Sequence, residues 1–216
     1  RLQKEASEPL PEGSTWERYG GKELEPYLAH TDLIDAAWLL DLANGKVMPE
    51  RKGVVPPWQQ VPEEAKVSLS TLRCSRMGTL PIGVLSYGWA AKGHPDPTGA
   101  LLRRLKPVLE AMVHSCEHGV YGNGKDKPAA WGIVWDFMSL PQRGYTTGYD
   151  AARDDRTPYQ LQRFGKGLRS VNVWYGAVYT TTLVCDWPMP DGAENAAPID
   201  RRGWCIFERR LSSVRK

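Results

Sequence analysis

The sequence predicts an α/β fold in which a small parallel sheet is flanked by helices and preceded by an N-terminal helical and irregular extension. Three apolar or β-branched segments are typical of strands and lie at residues 82–87, 130–137 and 178–185. Segments with apolar residues at helical spacing follow them and lie at residues 100–118, 158–177 and 203–214. Strand–helix alternation of this kind favours parallel strands joined by right-handed crossovers.

Length and composition fit a globular protein of one or two domains. The chain has 216 residues, of which 41% are hydrophobic and 25% charged. The net charge of +3 comes from interleaved acidic and basic residues, which argues against a nucleic-acid partner. No apolar run approaches the roughly 18 to 20 residues of a membrane span, so we expect no membrane partner. The four cysteines form no CxxC pair, which favours reduced thiols in a cytoplasmic protein.

The first 75 residues are expected to form an extension packed on an α/β domain of residues 76–216. Residues 1–30 are polar, with scattered proline and glycine, and predict an irregular arm. Thr31 is a predicted cap for a helix over residues 32–43, and the proline-rich residues 46–66 predict a strap. Alternation over residues 67–72 predicts a short edge strand. Farther along, Pro107 predicts a kink or a break in the helix over residues 100–118.

Polar and aromatic residues cluster where the predicted strands end. Residues 86–89 follow the first strand, residues 136–142 follow the second, and Asp186 follows the third, ahead of the last helix. Open parallel sheets bind ligands outside the carboxyl ends of their strands. The sequence therefore predicts a ligand site where these segments converge.

Four short motifs in this part of the chain resemble the fungal heterokaryon-incompatibility domain. They are LSYGW at 85–89, VWDFMSLPQ at 134–142, VNVWYGAVY at 171–179 and RGWCIFE at 202–208. Their order and rough spacing also agree over residues 80–210. That family is similar to the Toll/interleukin-1-receptor (TIR) domains, whose WC-x-x-E motif resembles WCIFE at 204–208.

The resemblance implies a TIR-like, flavodoxin-like fold and an activity that cleaves NAD, or a related nucleotide, at the nicotinamide–ribose bond. NAD is then a substrate, no cofactor is expected, and the role is one in defence, cell death or signalling. The family's catalytic glutamate corresponds to Glu208, whose carboxylate would stabilise an oxocarbenium-like ribose. The expected substrate-binding residues are Ser86, Tyr87, Gly88, Trp89, Asp136, Ser139, Gln142, Arg143 and Trp204.

Several of these residues also have a purely structural interpretation. Glu208 would be a solvated carboxylate favoured by the positive end of a helix dipole. Asp136 would cap the turn after a strand, instead of orienting a ribose hydroxyl. Trp89 would be a core residue, and Tyr87 would pack in the core or a turn. Arg143 would be solvated, instead of contacting a phosphate.

Other functions remain open from the sequence. A self-associating signalling domain without turnover would use the long loops at residues 139–157 and 186–200 as contact surfaces. A metal site would use His114 and His118, four apart on one helix, with His94 as a third ligand, but the HExxH pattern is absent and we expect no metal. A Cys205 nucleophile would need a partner histidine that no neighbouring position supplies.

Overall fold

The computed structural model describes residues 2–120, 122, 124–145 and 153–215. The helices in this part of the chain are α1 (Leu2–Ser7), α2 (Gly21–Leu28), α3 (Ala36–Ala43), α4 (Leu69–Arg73), α5 (Ala100–His118), α6 (Asp136–Ser139), α7 (Pro158–Gly176) and α8 (Gly203–Arg215). The strands are β1 (Ile34–Asp35), β2 (Ile82–Ser86), β3 (Gly132–Val134) and β4 (Thr181–Val184). Short 3-10 helices lie at Pro49–Arg51, Trp58–Gln60, Glu63–Ala65 and Ile199–Arg201.

The four strands form one mixed sheet in the order β1-β3-β2-β4. Strand β2 pairs in parallel with both β3 and β4, whereas β1 runs antiparallel to β3, with Ile34 opposite Ile133. The α/β class is therefore confirmed, and the expectation of a wholly parallel sheet is wrong. The difference is confined to one edge of the sheet, where the N-terminal segment supplies a two-residue antiparallel strand.

Side chains of the central strand divide between two cores, one on each face of the sheet. All five residues of β2 are buried. Ile82 and Val84 belong to a cluster that includes Trp174 of α7, and Leu85 belongs to a second cluster that includes Leu109 of α5. A strand covered by helices on both faces reads as a continuous apolar run, which is why residues 82–86 are recognisable in the sequence.

Helix α5 runs through Pro107 without interruption, so the predicted break is wrong. A proline inside a helix removes the hydrogen bond to the carbonyl four residues earlier, here that of Arg103. Both Pro107 and Arg103 are exposed, so solvent can satisfy the freed carbonyl. The bounds of α5 otherwise agree with the prediction.

The N-terminal part is more ordered than predicted. Residues 1–30 were expected to be irregular, yet they contain α1 and α2. Helix α3 is capped by Asp35, whose Oδ1 accepts from the Ala37 N–H at 2.8 Å, and not by Thr31. The helix begins late because Ile34 is extended and paired in the sheet. Residues 67–72 form no strand, since Ser68 instead caps α4. The division at residue 75 stays a prediction.

In the C-terminal half the predicted helices are confirmed and the predicted strands are longer than those observed. Thr157 and Gln160 form a capping box that starts α7. Asp136, expected to end a strand, instead begins α6. Residues 146–152 of the expected loop at 139–157 lie outside the described residues. Every helix in the described ranges is too short or too polar to cross a membrane.

Candidate functional site

The order of the three parallel strands creates a switch point between β2 and β4. Along the chain β2 comes first, β3 second and β4 third, but β2 lies between the other two in the sheet. The connections that leave β2 and β4 therefore diverge, which is where open α/β sheets bind ligands. At this point the Cys185 N–H donates to the Ser86 carbonyl at 2.9 Å, and α8 packs against β2.

Glu208 of α8 lies at this switch point with its side chain buried. It is 3% exposed, and its Oε2 accepts a hydrogen bond of 2.6 Å from the Ser86 hydroxyl at the end of β2. The Tyr175 hydroxyl donates to the Leu85 carbonyl at 2.9 Å, and Tyr175 and Trp204 lie near enough to the Glu208 carboxyl group to influence its pKa. The interpretation of Glu208 as a solvated helix carboxylate is therefore wrong, and the predicted proximity of residues 86 and 208 is observed.

The surroundings of Glu208 bring its protonation equilibrium close to neutrality. The pKa of Glu208 is raised to about 7, chiefly by burial and to a smaller extent by the nearby charge of Asp136. The hydrogen bond from Ser86 and the polar groups of Tyr175 and Trp204 favour the ionised form and oppose this rise. Near pH 7 the carboxyl group is thus present in both forms, a property that is common among groups that take part in catalysis.

A second, half-buried carboxyl group, that of Asp136, lies near the first. The Tyr87 hydroxyl and the Phe137 N–H, the latter at 2.6 Å, both donate to Asp136 Oδ1. Burial raises the pKa of Asp136, and burial raises the pKa of Tyr87 well above its usual value. The switch point therefore holds two carboxyl groups, and the charge of Asp136 acts on Glu208.

Ser139 and Gln142 are used to hold the backbone of the connection after β3. The Ser139 hydroxyl, fully buried, accepts from the Trp135 N–H at 3.0 Å. The Gln142 side-chain amide donates to the carbonyls of Asp136 at 3.1 Å and Leu140 at 2.7 Å. Both side chains therefore shape the connection that carries Asp136, and their hydrogen bonds go to backbone groups.

Gly88 and Trp89 join the site through Arg202, a residue that sequence reasoning missed. The Arg202 guanidinium donates to the carbonyls of Trp89 at 2.9 Å, Ala197 at 2.8 Å and Asn195 at 2.7 Å. A Cβ at Gly88 would lie 2.8 Å from Arg202 Nε, so glycine permits this close packing. Arg202 ties the loop after β2 to the loop before α8. The signal in the sequence that could have identified Arg202 is the Arg-Gly-Trp stretch that opens the last motif.

The remaining candidates lie at the surface. Arg143 is exposed; the hydrogen bond from Arg156 is the main reason that the pKa of Asp154 is lowered, and the positive charge of Arg143 adds to it. Trp204 is 51% exposed, and its ring centre lies 5.9 Å from that of Phe207. Trp204 thus borders Glu208 on its solvent side. Tyr175, which sequence reasoning did not single out, lies inside the third motif, and its hydroxyl extends from α7 to the Leu85 carbonyl in the neighbourhood of Glu208.

Neither alternative chemistry is assembled in the structure. His114 and His118 stack with ring centres 4.1 Å apart, while His94 uses its two ring nitrogens on Val55 and Asp96 backbone groups. Among the described residues no group of three or more potential ligands could hold a metal ion. Burial raises the pKa of Cys205 to about 11, which opposes the thiolate form that a nucleophile needs.

The crevice above the strand ends is nearly closed. Loops that follow β2 and β4 enclose a cavity of about 30 Å³, lined by residues such as Tyr87, Gly88, Cys185 and Trp187. That volume admits about one water molecule. A ligand of nucleotide size would therefore require these two loops to separate.

Comparison of the chain with protein-family models, with curated proteins and with solved structures gives no match. Its function is therefore inferred from the geometry of the switch point and from the four motifs.

Proposed function

We propose that the chain is a TIR-like nucleotide N-glycosidase that cleaves NAD at the nicotinamide–ribose bond in a defence, cell-death or signalling role. The observation that carries the proposal is the Glu208 carboxyl group, which is buried at the switch point against Ser86. Its pKa of about 7 leaves a reactive ionised fraction at neutral pH. The motif around Glu208 supports the same assignment.

The chemistry requires one well-placed carboxylate. The bond between ribose C1′ and the nicotinamide nitrogen breaks, and its electron pair leaves with nicotinamide as a neutral amine. Glu208 then faces a ribose with oxocarbenium character, which it stabilises by charge or by a transient bond to C1′. Water adds to C1′ and releases a proton, which completes hydrolysis. Ser86 holds the carboxylate in position, and Asp136 is the proposed contact for a ribose hydroxyl.

The test is nicotinamide release from NAD by the purified protein at high concentration. Native protein should release nicotinamide and Glu208→Gln should not, since the amide keeps the shape of the side chain but carries no charge. Glu110→Gln, on the solvent-exposed side of α5, is the matched control and should retain activity. Circular dichroism establishes that all three are folded. Folded native protein without turnover, or an active Glu208→Gln variant, would contradict the proposal.

A second candidate function is self-association without turnover, and a specific observation favours it. Trp204 is 51% exposed and Phe207 44%, and Val184 on the edge strand β4 is 36% exposed. Exposed aromatic residues of this kind are enriched at protein interfaces. Light scattering across a range of concentrations measures assembly. If the chain is a scaffold, Phe207→Ser should no longer assemble and Glu208→Gln should still assemble. If it is an enzyme, Glu208→Gln should lose turnover.

A further inference from the structure

A groove of about 520 Å³ lies between α2, the C-terminal end of α7 and the segment that leads into β4. The carbonyl of Tyr179, just before β4, accepts from the Leu80 N–H at 2.9 Å. The groove therefore lies at the amino ends of the parallel strands, whereas Glu208 contacts Ser86 at the carboxyl end of β2. We name it the tyrosine groove. The lining residues on which its chemistry depends are Tyr19, Glu23, Tyr27 and Tyr179.

Three tyrosine rings line the tyrosine groove. The ring centres of Tyr19 and Tyr179 lie 4.9 Å apart and the ring planes are inclined at 66°, so the two rings form a corner. Tyr27 lies one helical turn beyond Glu23 on α2, which places these two side chains on the same side of that helix. The faces of aromatic rings carry partial negative charge and attract cations. Several aromatic rings around one cavity are the arrangement by which proteins bind quaternary ammonium ions.

The charge of the groove is negative. Among the described residues, Glu23 alone supplies a charged side chain to the lining, and it forms no ion pair with another of them. A Cβ at Gly20, which also lines the groove, would lie 3.5 Å from Glu23 Oε2, so the carboxylate lies beside the backbone at the margin of the groove. The Arg18 guanidinium lies 5.6 Å from the centre of the Tyr19 ring, but Arg18 is exposed and outside the lining, so solvent and salt screen it. Rings and carboxylate therefore both favour a positively charged ligand.

We propose that the tyrosine groove binds a small organic cation whose charge is carried by an alkylated ammonium group. The ammonium group lies against the tyrosine rings, and Glu23 supplies the opposite charge. The apolar substituents of the ligand pack on Val173, Ala177 and Leu211, which line the same groove. The volume of the groove falls within the range of roughly 300 to 1,000 Å³ that is typical of small-molecule sites. This site is independent of Glu208 and of the proposed NAD cleavage.

The test uses choline as the probe and 3,3-dimethylbutan-1-ol as a neutral control of the same shape, in which a carbon atom replaces the charged nitrogen. Sodium chloride keeps the ionic strength constant during the titration. The readout is the ring resonance of Tyr27 in protein labelled with ¹³C-tyrosine, identified by its loss in Tyr27→Phe. We expect choline to shift this resonance in a saturable manner, and we expect the neutral alcohol to leave it unchanged. Equal shifts with both probes, or no saturable shift with choline in the millimolar range, would overturn the proposal.

Substitutions at an exposed position separate binding from folding. Tyr179 is 42% exposed, so a change there should leave the fold intact. Tyr179→Phe keeps the ring and should bind choline nearly as the native protein does. Tyr179→Leu removes the ring and should weaken binding about fivefold, the loss expected for one cation–π contact. Tyr159→Leu, at a position that is 62% exposed and outside the groove, should bind as the native protein does. Unchanged affinity in a folded Tyr179→Leu variant would refute the assignment of the rings.

A change of charge alone tests the role of the carboxylate. Glu23→Gln keeps the length of the side chain and should weaken choline binding about twofold, a small loss because solvent screens an exposed carboxylate. Glu110→Gln on α5 changes the net charge by the same amount and should bind as the native protein does. If affinity fell equally in both variants, or did not fall in Glu23→Gln, the assignment of Glu23 to the site would be wrong.

Discussion

Replacing Glu208 by glutamine should make the stability of the protein less sensitive to pH. The folded state raises the pKa of Glu208 from 4.5 to about 7, chiefly because the side chain is buried. The folded protein therefore holds this proton more tightly than the unfolded chain does. As the pH rises from about 4.5 to above 7, the unfolded chain releases the proton first and the native fold is destabilised. Glutamine does not titrate, so the variant lacks this loss.

The magnitude follows from the change in pKa. At 1.36 kcal/mol for each pH unit, a pKa raised from 4.5 to about 7 corresponds to roughly 3 kcal/mol in full. Between about pH 5 and pH 8, most of this, about 2.5 kcal/mol, is expected to appear. The free energy of unfolding of Glu208→Gln minus that of the native protein should therefore be about 2.5 kcal/mol larger at pH 8 than at pH 5. Urea denaturation at the two pH values measures it.

The exposed carboxylate of Glu110 again supplies the control. Glu110→Gln removes one acidic group from the surface of α5, where solvent screens its interactions. It should shift the free energy of unfolding by nearly the same amount at both pH values. If Glu208→Gln behaved like Glu110→Gln, the carboxyl group would not be held in a desolvated site, and the argument for a catalytic group with a near-neutral pKa would fail.

Three further substitutions test local parts of the structure. Gly167→Ala would place a Cβ 2.3 Å from Leu140 Cδ2. Glycine to alanine usually stabilises a helix, but here the variant should lose about 1–3 kcal/mol in free energy of unfolding, measured by urea denaturation. A more stable variant would contradict this packing. Thr157→Ala removes the cap of α7 and should cost about 1 kcal/mol by the same measurement, and an unchanged midpoint would argue against the capping box. Ser86→Ala removes a donor that favours the ionised form of Glu208, so under the proposed function the acid limb of the pH–rate profile should move to higher pH; a shift to lower pH would be inconsistent with the bond.

The parts of the fold that the sequence predicts well are those with long and regular patterns. Helices α5 and α7 repeat their apolar residues over 19 residues each, and β2 is apolar because helices cover both of its faces. The short elements β1 and α4 were missed. Strand β1 has two residues and exists through its pairing with β3, a contact between distant parts of the chain that local propensity does not encode.

For the candidate site, the sequence predicts where the strand ends converge but not which further side chains contact one another there. Convergence of the strand ends brings Ser86 and Glu208 together, as the alternation of strands and helices suggested. Tyr175 was missed because its contribution depends on which face of α7 meets α8. Ser139 and Gln142 also have a structural role that local sequence patterns did not show, because the turn after β3 needs partners for its backbone groups and these side chains provide them.

Helix α8 shows why local rules fail at this site. Its buried face carries Cys205, Glu208 and Ser212, at a spacing that places them on one side of the helix, while Trp204 and Phe207 face solvent. A helix that contributed only to the core would place these aromatic residues inside and the carboxyl group outside. Natural proteins place residues against such local rules mainly at functional sites. Burial of the Glu208 carboxyl group lowers the stability of the fold, so folding alone does not explain it. The faces of α8 are thus reversed relative to a purely structural helix, and this supports the proposed role of the carboxyl group at the switch point and the proposed role of the exposed aromatic residues at an interface.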